Sequence, residues 1–324
     1  MTLVLFVLVA VVVVISGRWV AYYGDVLAEK TGLGRSFIGL FLLAATTSLP
    51  ETFNVASAAL QDLPDIALGN LLGASMVNFL LLVLLDATHP HPIATRVSRH
   101  HVLSVGLVVI LLSVAGLGLH LGQQSNLTLA RLFAALLLPL YSVALWISFK
   151  WTQQNPTAQP DELPHEPAMT LSVAGARYAA GAVVLIVAAV FLPNLAERLA
   201  EESGLVRAWV GTFLVGLITT LPEATVTLAA ARLGAADLAL GNALGSTMFN
   251  TLLITFADVL QPMPLFARVS AGHFASLTAL LGMSGAVLAG LAYGSGQKIG
   301  KLSLEMWGIV LFYVVAFVLS IAQP

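Results

Sequence analysis

The chain is 324 residues long, 58% hydrophobic and only 9% charged, with a formal net charge of −2 and a mean hydropathy of +0.93. A soluble domain carries roughly 25% charged residues, so this composition reads as an all-α polytopic membrane protein. The charge balance gives no nucleic-acid footprint, and a chain without cysteine has no disulfide, thiolate ligand or thiol redox chemistry.

A spanning helix needs about 20 mostly apolar residues. In chain order, apolar stretches between turn signals fall at roughly 2–23, 36–60, 66–87, 101–121, 128–149, 174–194, 208–232, 237–260, 271–293 and 303–322. The first, from Thr2 to Ile15, has no basic start ahead of it and reads as a membrane helix, not a signal peptide. Pro64, Pro90, Pro92, Gly122, Pro193, Gly234, Pro262, Pro264 and Gly294–Gly296 are the turn signals. The one long polar stretch, 150–173, splits the chain into 1–149 and 174–324, five segments each. It is a tether, too short for a folded regulatory domain. Lys and Arg set orientation. Nine of them, including Lys30, Arg96, Arg99 and Lys150, fall on one side against Arg131, Arg198, Arg207 and Arg268 on the other. The first side is therefore cytoplasmic, the linker is inside and both termini are outside. The multi-pass chain belongs in the cell (inner) membrane.

One segment occurs twice at a constant offset of 172 residues. Residues 39–78 align with 211–250 without a gap, and 18 of the 40 positions are identical. Five segments is an odd number, so the second copy enters the membrane in the opposite direction. The expectation is ten transmembrane helices as two inverted five-helix repeats, with broken second and seventh helices. Such repeats place a substrate site near the midplane, at their interface. The offset also matches Pro90, Pro92, Arg96, Val97, Ser98 and His101 with Pro262, Pro264, Arg268, Val269, Ser270 and His273.

The first motif is Thr47-Ser48-Leu49-Pro50-Glu51, copied as Thr219-Thr220-Leu221-Pro222-Glu223. Proline lacks an N–H, so the carbonyls of Thr46 and Ile218 lose their helical partners. Thr47 and Glu51 are four apart on one helical face, as are Thr219 and Glu223. Each copy thus gathers hydroxyl, carbonyl and carboxylate oxygens. A carboxylate at mid-bilayer costs about 2.5–3.5 kcal/mol even on the lenient insertion scale, so two call for a cation or protons. The bland alternative is a proline kink with a buried, protonated Glu. The second motif is Gly69-Asn70…Gly73…Asn78, copied as Gly241-Asn242…Gly245…Asn250. Its glycines suit close helix contact. Its deeper asparagines offer amide oxygens without charge, and Ser246 shares the face of Asn250. These hard oxygen donors suit Ca2+ or Na+, not a soft metal. Two carboxylates balance one Ca2+, which takes about 6–8 oxygens.

Other polar residues read more plainly. Asp65 and Asp237 are expected N-caps, and Asp86 and Asp258 are boundary residues. His89, His91, His100 and His101 belong to a solvated loop, and Glu197, Arg198, Glu201 and Glu202 to a mixed-charge outer loop.

The two motifs resemble the α-repeats of the cation/Ca2+ exchanger superfamily, specifically its Na+/Ca2+ exchanger branch. The resemblance covers the 40-residue core of each half. It implies a central site in which Glu51 and Glu223 bind Ca2+ and share in Na+ binding. Thr47 and Thr219 would give backbone and hydroxyl oxygens with Ser48 and Thr220 beside them, and Asn78 and Asn250 would close the middle. Ser246 and the carbonyls of Ala44 and Gly216 would serve flanking Na+ sites. The first and sixth helices would slide as the gate. One departure is Ala74, where the family's first repeat usually has Ser, which removes a hydroxyl opposite Ser246.

The expected function is secondary active exchange of Ca2+ for Na+ by alternating access, with no cofactor and with ions and the bilayer as partners. A Ca2+/H+ antiporter is the alternative within that class, and a passive cation channel is the alternative outside it. A channel prefers several moderate sites in file. An intramembrane hydrolase is disfavoured because the chain has no His-Glu-x-x-His or Gly-x-Ser-x-Gly motif.

Overall fold

In the computed structural model, residues 2–155, 169–202, 218–294 and 296–322 are described. They are almost entirely helical, as lipid demands, because the bilayer core offers no water to satisfy a bare backbone. α1 (Thr2–Thr31) is followed by a broken tract: α2 (Gly34–Ile38), a π-turn (Gly39–Leu43), α3 (Ala44–Thr47) and α4 (Leu49–Leu60). Then come α5 (Pro64–Ala87), α6 (His100–Gln123), α7 (Leu127–Gln154) and α8 (Leu171–Glu202). α9 (Leu221–Arg232), α10 (Ala236–Val259), the short α11 (Leu265–Arg268), α12 (His273–Tyr293) and α13 (Leu304–Ala322) complete the chain. A two-residue antiparallel hairpin, β1 (Lys298–Ile299) and β2 (Leu302–Ser303), precedes α13.

Six of these helices (α1, α5, α6, α7, α8 and α12) are long and apolar enough to cross a membrane. The broken tract makes a seventh if it is counted as one span. α10 falls outside that group for a physical reason: 20 of its 24 residues are buried. It packs against the π-turn, α5, α6, α7 and α9, so it faces protein and not lipid and can carry Asn, Ser and Thr. α1 lies along α8 and also touches α9.

The two copies of the repeat have matching local structure. α4 and α9 are both 12 residues long, and α5 and α10 are both 24. α4 starts after Ser48 (φ −91°, ψ 3°) and α9 after Thr220 (φ −88°, ψ 8°), each with proline in its first turn. At Ser48 the axis turns by 46°. Proline fits a helix start because its missing N–H would be unpaired there anyway.

Several sequence expectations are corrected. Pro193 does not end its helix, since α8 runs through it to Glu202. Glu197, Arg198, Glu201 and Glu202 therefore lie on α8 and not in a loop. α7 and α8 extend into the polar stretch from both ends, and its middle, 156–168, lies outside the described residues, as do Arg207 and Gly216. Asp65 and Asp237 cap nothing: neither helix start has a side-chain cap hydrogen bond. Asp237 instead accepts from the Ser98 N–H at 2.6 Å and meets His101 Nε2 at 3.1 Å. Asp65 does the same with the Ser270 N–H at 2.6 Å and His273 Nε2 at 3.0 Å. His100 and His101 are buried, not solvated, with His100 stacked on Trp151 at 4.6 Å. His91 is exposed and His89 half-buried. Asp86 and Asp258 do sit near their helix ends, but as buried anchors. Each accepts a backbone N–H seven residues on, from Ile93 at 2.8 Å and Leu265 at 2.7 Å.

Candidate functional site

The break at Ser48 is what exposes chemistry inside the bundle. α4 restarts with Glu51 in its first turn, and α9 restarts with Glu223 in its first turn. A helix start carries partial positive charge, so each carboxylate sits where its helix favours it. Both are 1% exposed. The two carboxyls lie close enough to act on each other electrostatically.

The copies interlock through their hydroxyls. Ser48 Oγ, from the first copy, donates to Glu223 Oε1 at 3.2 Å. Thr47 Oγ1 lies 3.2 Å from Ser246 Oγ, 3.3 Å from the Ala44 carbonyl and 3.4 Å from Asn242 Oδ1. Asn242 Nδ2 in turn donates to Thr227 Oγ1 at 2.9 Å. Asn250 Nδ2 donates to Ser75 Oγ at 3.1 Å and points at the Leu71 carbonyl at 3.4 Å. Thr219 and Thr220 are buried at the positions matching Thr47 and Ser48. The structure thus joins Ala44, Thr47 and Ser246 in one group, and Ser48, Glu223 and Glu51 in another. Asn78 is buried on α5 but hydrogen-bonds to none of them.

Close helix contact holds these groups in place. A Cβ on Gly39 would come within 2.5 Å of the Leu238 carbonyl oxygen, and one on Gly241 within 2.7 Å of the Ser36 oxygen. On Gly245 it would lie 2.1 Å from the Leu40 oxygen. Backbone meets backbone there, which the Gly241/Gly245 spacing predicts. α8 adds a pin: Tyr178 Oη meets Thr46 Oγ1 at 2.7 Å and donates to the Leu42 carbonyl at 3.1 Å.

The remaining polar atoms decide what the site can do. Buried polar groups are normally paired. Among the described residues, both Glu51 oxygens, Glu223 Oε2, Asn250 Oδ1 and both amide atoms of Asn78 have no hydrogen-bond partner. Five of these six atoms are oxygens, on four side chains that are at most 2% exposed. Such a set costs free energy unless a cation or protons satisfy it. The unpartnered donors are two carboxylates and neutral amide oxygens, and among the described residues no three His, Cys, Asp or Glu gather so as to hold a metal. That composition is hard-cation chemistry, not zinc or iron chemistry.

Sequence reasoning placed Asn242 in the second motif without giving it a role, and it missed Ser75 and Thr227. Asn242 has its copy in Asn70, which was the available signal. Thr227 has none, since its counterpart is Val55.

Comparison with known proteins gives a consistent picture. A family model described as sodium/calcium exchanger protein matches residues 1–150 and 175–323. The putative antiporter CaxA of Alkalimonas amylolytica is 29% identical over 293 residues, 86% of this chain and 89% of that one. The inner membrane protein YrbG of Escherichia coli (strain K12) is 28% identical over 246 residues, 75% of this chain and 74% of that one. Among solved structures, the sodium-calcium exchanger NCX_Mj soaked with 10 mM Na+ and zero Ca2+ superposes with a TM-score of 0.75. It is 21% identical, with 100% of this chain and 99% of that one covered. At that identity the likeness speaks for the fold.

Proposed function

The chain belongs to the sodium/calcium exchanger family, and from that premise we propose that it is a secondary active antiporter exchanging Ca2+ for Na+ across a membrane by alternating access. The observation that carries the proposal is the set of unpartnered oxygens around two facing, buried carboxylates. Glu51 and Glu223 supply the charge that balances one Ca2+. Asn78 and Asn250 supply neutral oxygens. Thr47, Ser246 and the Ala44 carbonyl form one flanking position for a monovalent ion, beside Ser48. Thr219 and Thr220 form the other, with Gly216, expected to add a carbonyl, outside the described residues. There Ala74 stands where Ser246 stands in the second copy, so the two flanking positions are unequal.

Coupling follows from electrostatics. Removing a charge partner from a buried ionic group costs roughly 3–5 kcal/mol. Two bare carboxylates therefore resist crossing between the inward-facing and outward-facing states. Ca2+ neutralises them, and so do competing ions. Competition for one carboxylate pair makes transport an exchange, not a leak. No bond in the cargo is made or broken, so the chain is not an enzyme and needs no cofactor.

A ten-helix layout of two inverted halves, 1–149 and 174–324, fits the same proposal. Its support is the reciprocal pairing of Asp237 with Ser98 and of Asp65 with Ser270, each residue 172 positions from its counterpart. The Lys and Arg bias supports outside termini and a cytoplasmic linker, in a cell (inner) membrane.

H+ is the second candidate for the driving ion. The facing Glu51 and Glu223 carboxyls could take up two protons in place of one Ca2+ at equal charge, and Ala74 removes a hydroxyl that Na+ would use. One experiment separates the two. In vesicles containing the purified chain, Ca2+ uptake driven by an outward Na+ gradient at clamped pH supports Na+. Uptake that ignores Na+ and follows a pH gradient establishes H+. Flux needing no counter-ion on the opposite face would mark a channel instead.

A further inference from the structure

The two site asparagines differ in what holds them. Asn250 Nδ2 spends its hydrogens on Ser75 Oγ at 3.1 Å and toward the Leu71 carbonyl at 3.4 Å. Ser75 Oγ spends its own hydrogen on the same Leu71 carbonyl, at 2.8 Å. Turning the Asn250 amide over would set its oxygen against the Leu71 oxygen, two acceptors with no hydrogen between them. It would also set that oxygen against the Ser75 hydroxyl oxygen, whose hydrogen is committed to Leu71. The Asn250 oxygen is therefore held in one direction, and it has no partner among the described residues. Asn78 lacks that support. The residue matching Ser75 is Thr247, whose hydroxyl donates to Ala243 O at 3.0 Å just as Ser75 donates to Leu71 O, but Asn78 gives it no hydrogen bond, and among the described residues neither Asn78 amide atom has a partner.

We infer that Ser75 is a positioning residue for cation binding: it fixes Asn250 as a permanent oxygen donor, while Asn78 remains free to present either its oxygen or its amine. The inference rests on the proposal that this site carries Ca2+. It gives the halves distinct tasks. Asn250 has its oxygen set before the ion arrives, which lowers the ordering cost of binding. Asn78 can turn an oxygen toward a cation, or an N–H toward a bare carboxylate once the cation has left.

The test uses the full chain in vesicles, reading the Ca2+ dependence of counter-ion-driven flux. Ser75→Ala should raise the half-saturating Ca2+ concentration about tenfold, the scale of one orienting hydrogen bond to an ion ligand, with maximal flux held within about twofold. Ser75→Thr, which keeps the hydroxyl, should restore the wild-type value. In an Asn250→Ala background, which removes the side chain that Ser75 positions, Ser75→Ala should change nothing further. An unchanged half-saturation in Ser75→Ala, or an effect that persists beside Asn250→Ala, overturns the inference. A wild-type chain without Ca2+ flux overturns the exchange proposal instead. The positioning claim is then decided by thermal stabilisation in detergent with Na+ or Ca2+ alone. Ser75→Ala must weaken the response to whichever ion stabilises the wild type, and an equal response, or none in either protein, defeats it.

Discussion

Asp237 reaches across the chain to hold Ser98: its carboxylate accepts the Ser98 N–H at 2.6 Å and meets the His101 ring at 3.1 Å. The counterpart clasp, Asp65 on Ser270 and His273, has nearly the same lengths. The two differ in setting, since the Asp237 side chain is 25% exposed and that of Asp65 55%. Asp237→Ala should lower thermal stability in detergent by the order of 1–3 kcal/mol, the cost of orphaning buried donors, and Asp65→Ala should cost visibly less. Equal losses would show that burial does not set the strength of these clasps.

Glu51→Gln and Glu223→Gln each remove one charge from the facing pair. Either should cut Ca2+ flux about a hundredfold or more, because roughly 3–5 kcal/mol separates a complete buried charge arrangement from a broken one. Vesicle uptake of radioactive Ca2+ checks this. Protein that is folded by thermal melt and still transports at half the normal rate would remove these residues from the mechanism.

Ala74→Ser restores the hydroxyl that the second copy has at Ser246. With Na+ as counter-ion, the concentration of Na+ giving half-maximal exchange should fall roughly three- to tenfold, the scale of one added oxygen contact to an ion. Ser246→Ala should move it the other way. If H+ drives the cycle, Ala74→Ser should leave the pH dependence of flux unchanged.

Gly245→Ala would put a Cβ 2.1 Å from the Leu40 carbonyl oxygen. Overpacking of this kind costs about 1–3 kcal/mol or more, and the collision is with backbone that cannot rotate away. Gly106, on α6, meets nothing within 4 Å among the described residues. Gly106→Ala should therefore gain about 0.5–1 kcal/mol of helix stability. Paired thermal melts of the two variants decide it, since a similar shift in both would contradict the packing.

Between α4 and α5, Asp62 pairs with Arg268 through both carboxylate oxygens. The hydrogen bond from Arg268 holds the Asp62 carboxyl below its ordinary range. A depressed carboxylate contributes stability that is complete above the unfolded value, about 3.9, and is lost as pH falls through the folded one. Between pH 5 and 8 the pair should therefore stay constant. Asp62→Asn should leave the pH profile of flux untouched over that range, and a shifted profile would refute the assignment.

The helical segments and the paired carboxylates were legible because their signals are strong and repeated. Apolar length marks the helices, and Pro50-Glu51 and Pro222-Glu223 stand out against them. What stayed hidden depends on partners remote in sequence. Asp65 and Asp237 sit in the first turn of helices, where a capping role is the local expectation, yet their ligands come from 205 and 139 residues away. His100 and His101 follow a Pro- and His-rich loop and look solvated, but Trp151 covers His100 and Asp237 takes His101. Pro193 reads as a stop, and α8 absorbs it. Ser75 is an ordinary small residue in an apolar run, and only the position of Asn250 across the bundle gives it a task.

Gly39, Gly241 and Gly245 put main chain directly on main chain, with no side chain between the broken tract and α10. The separation of these two elements is thus set by peptide geometry, which is the same in every sequence that keeps those glycines. Residues 74, 78, 246 and 250 can then vary without moving the frame that carries them. Under the proposed exchange, ion preference can then drift by single substitutions at those four positions while the architecture stands still, which gives a designer four positions to change and three to leave alone.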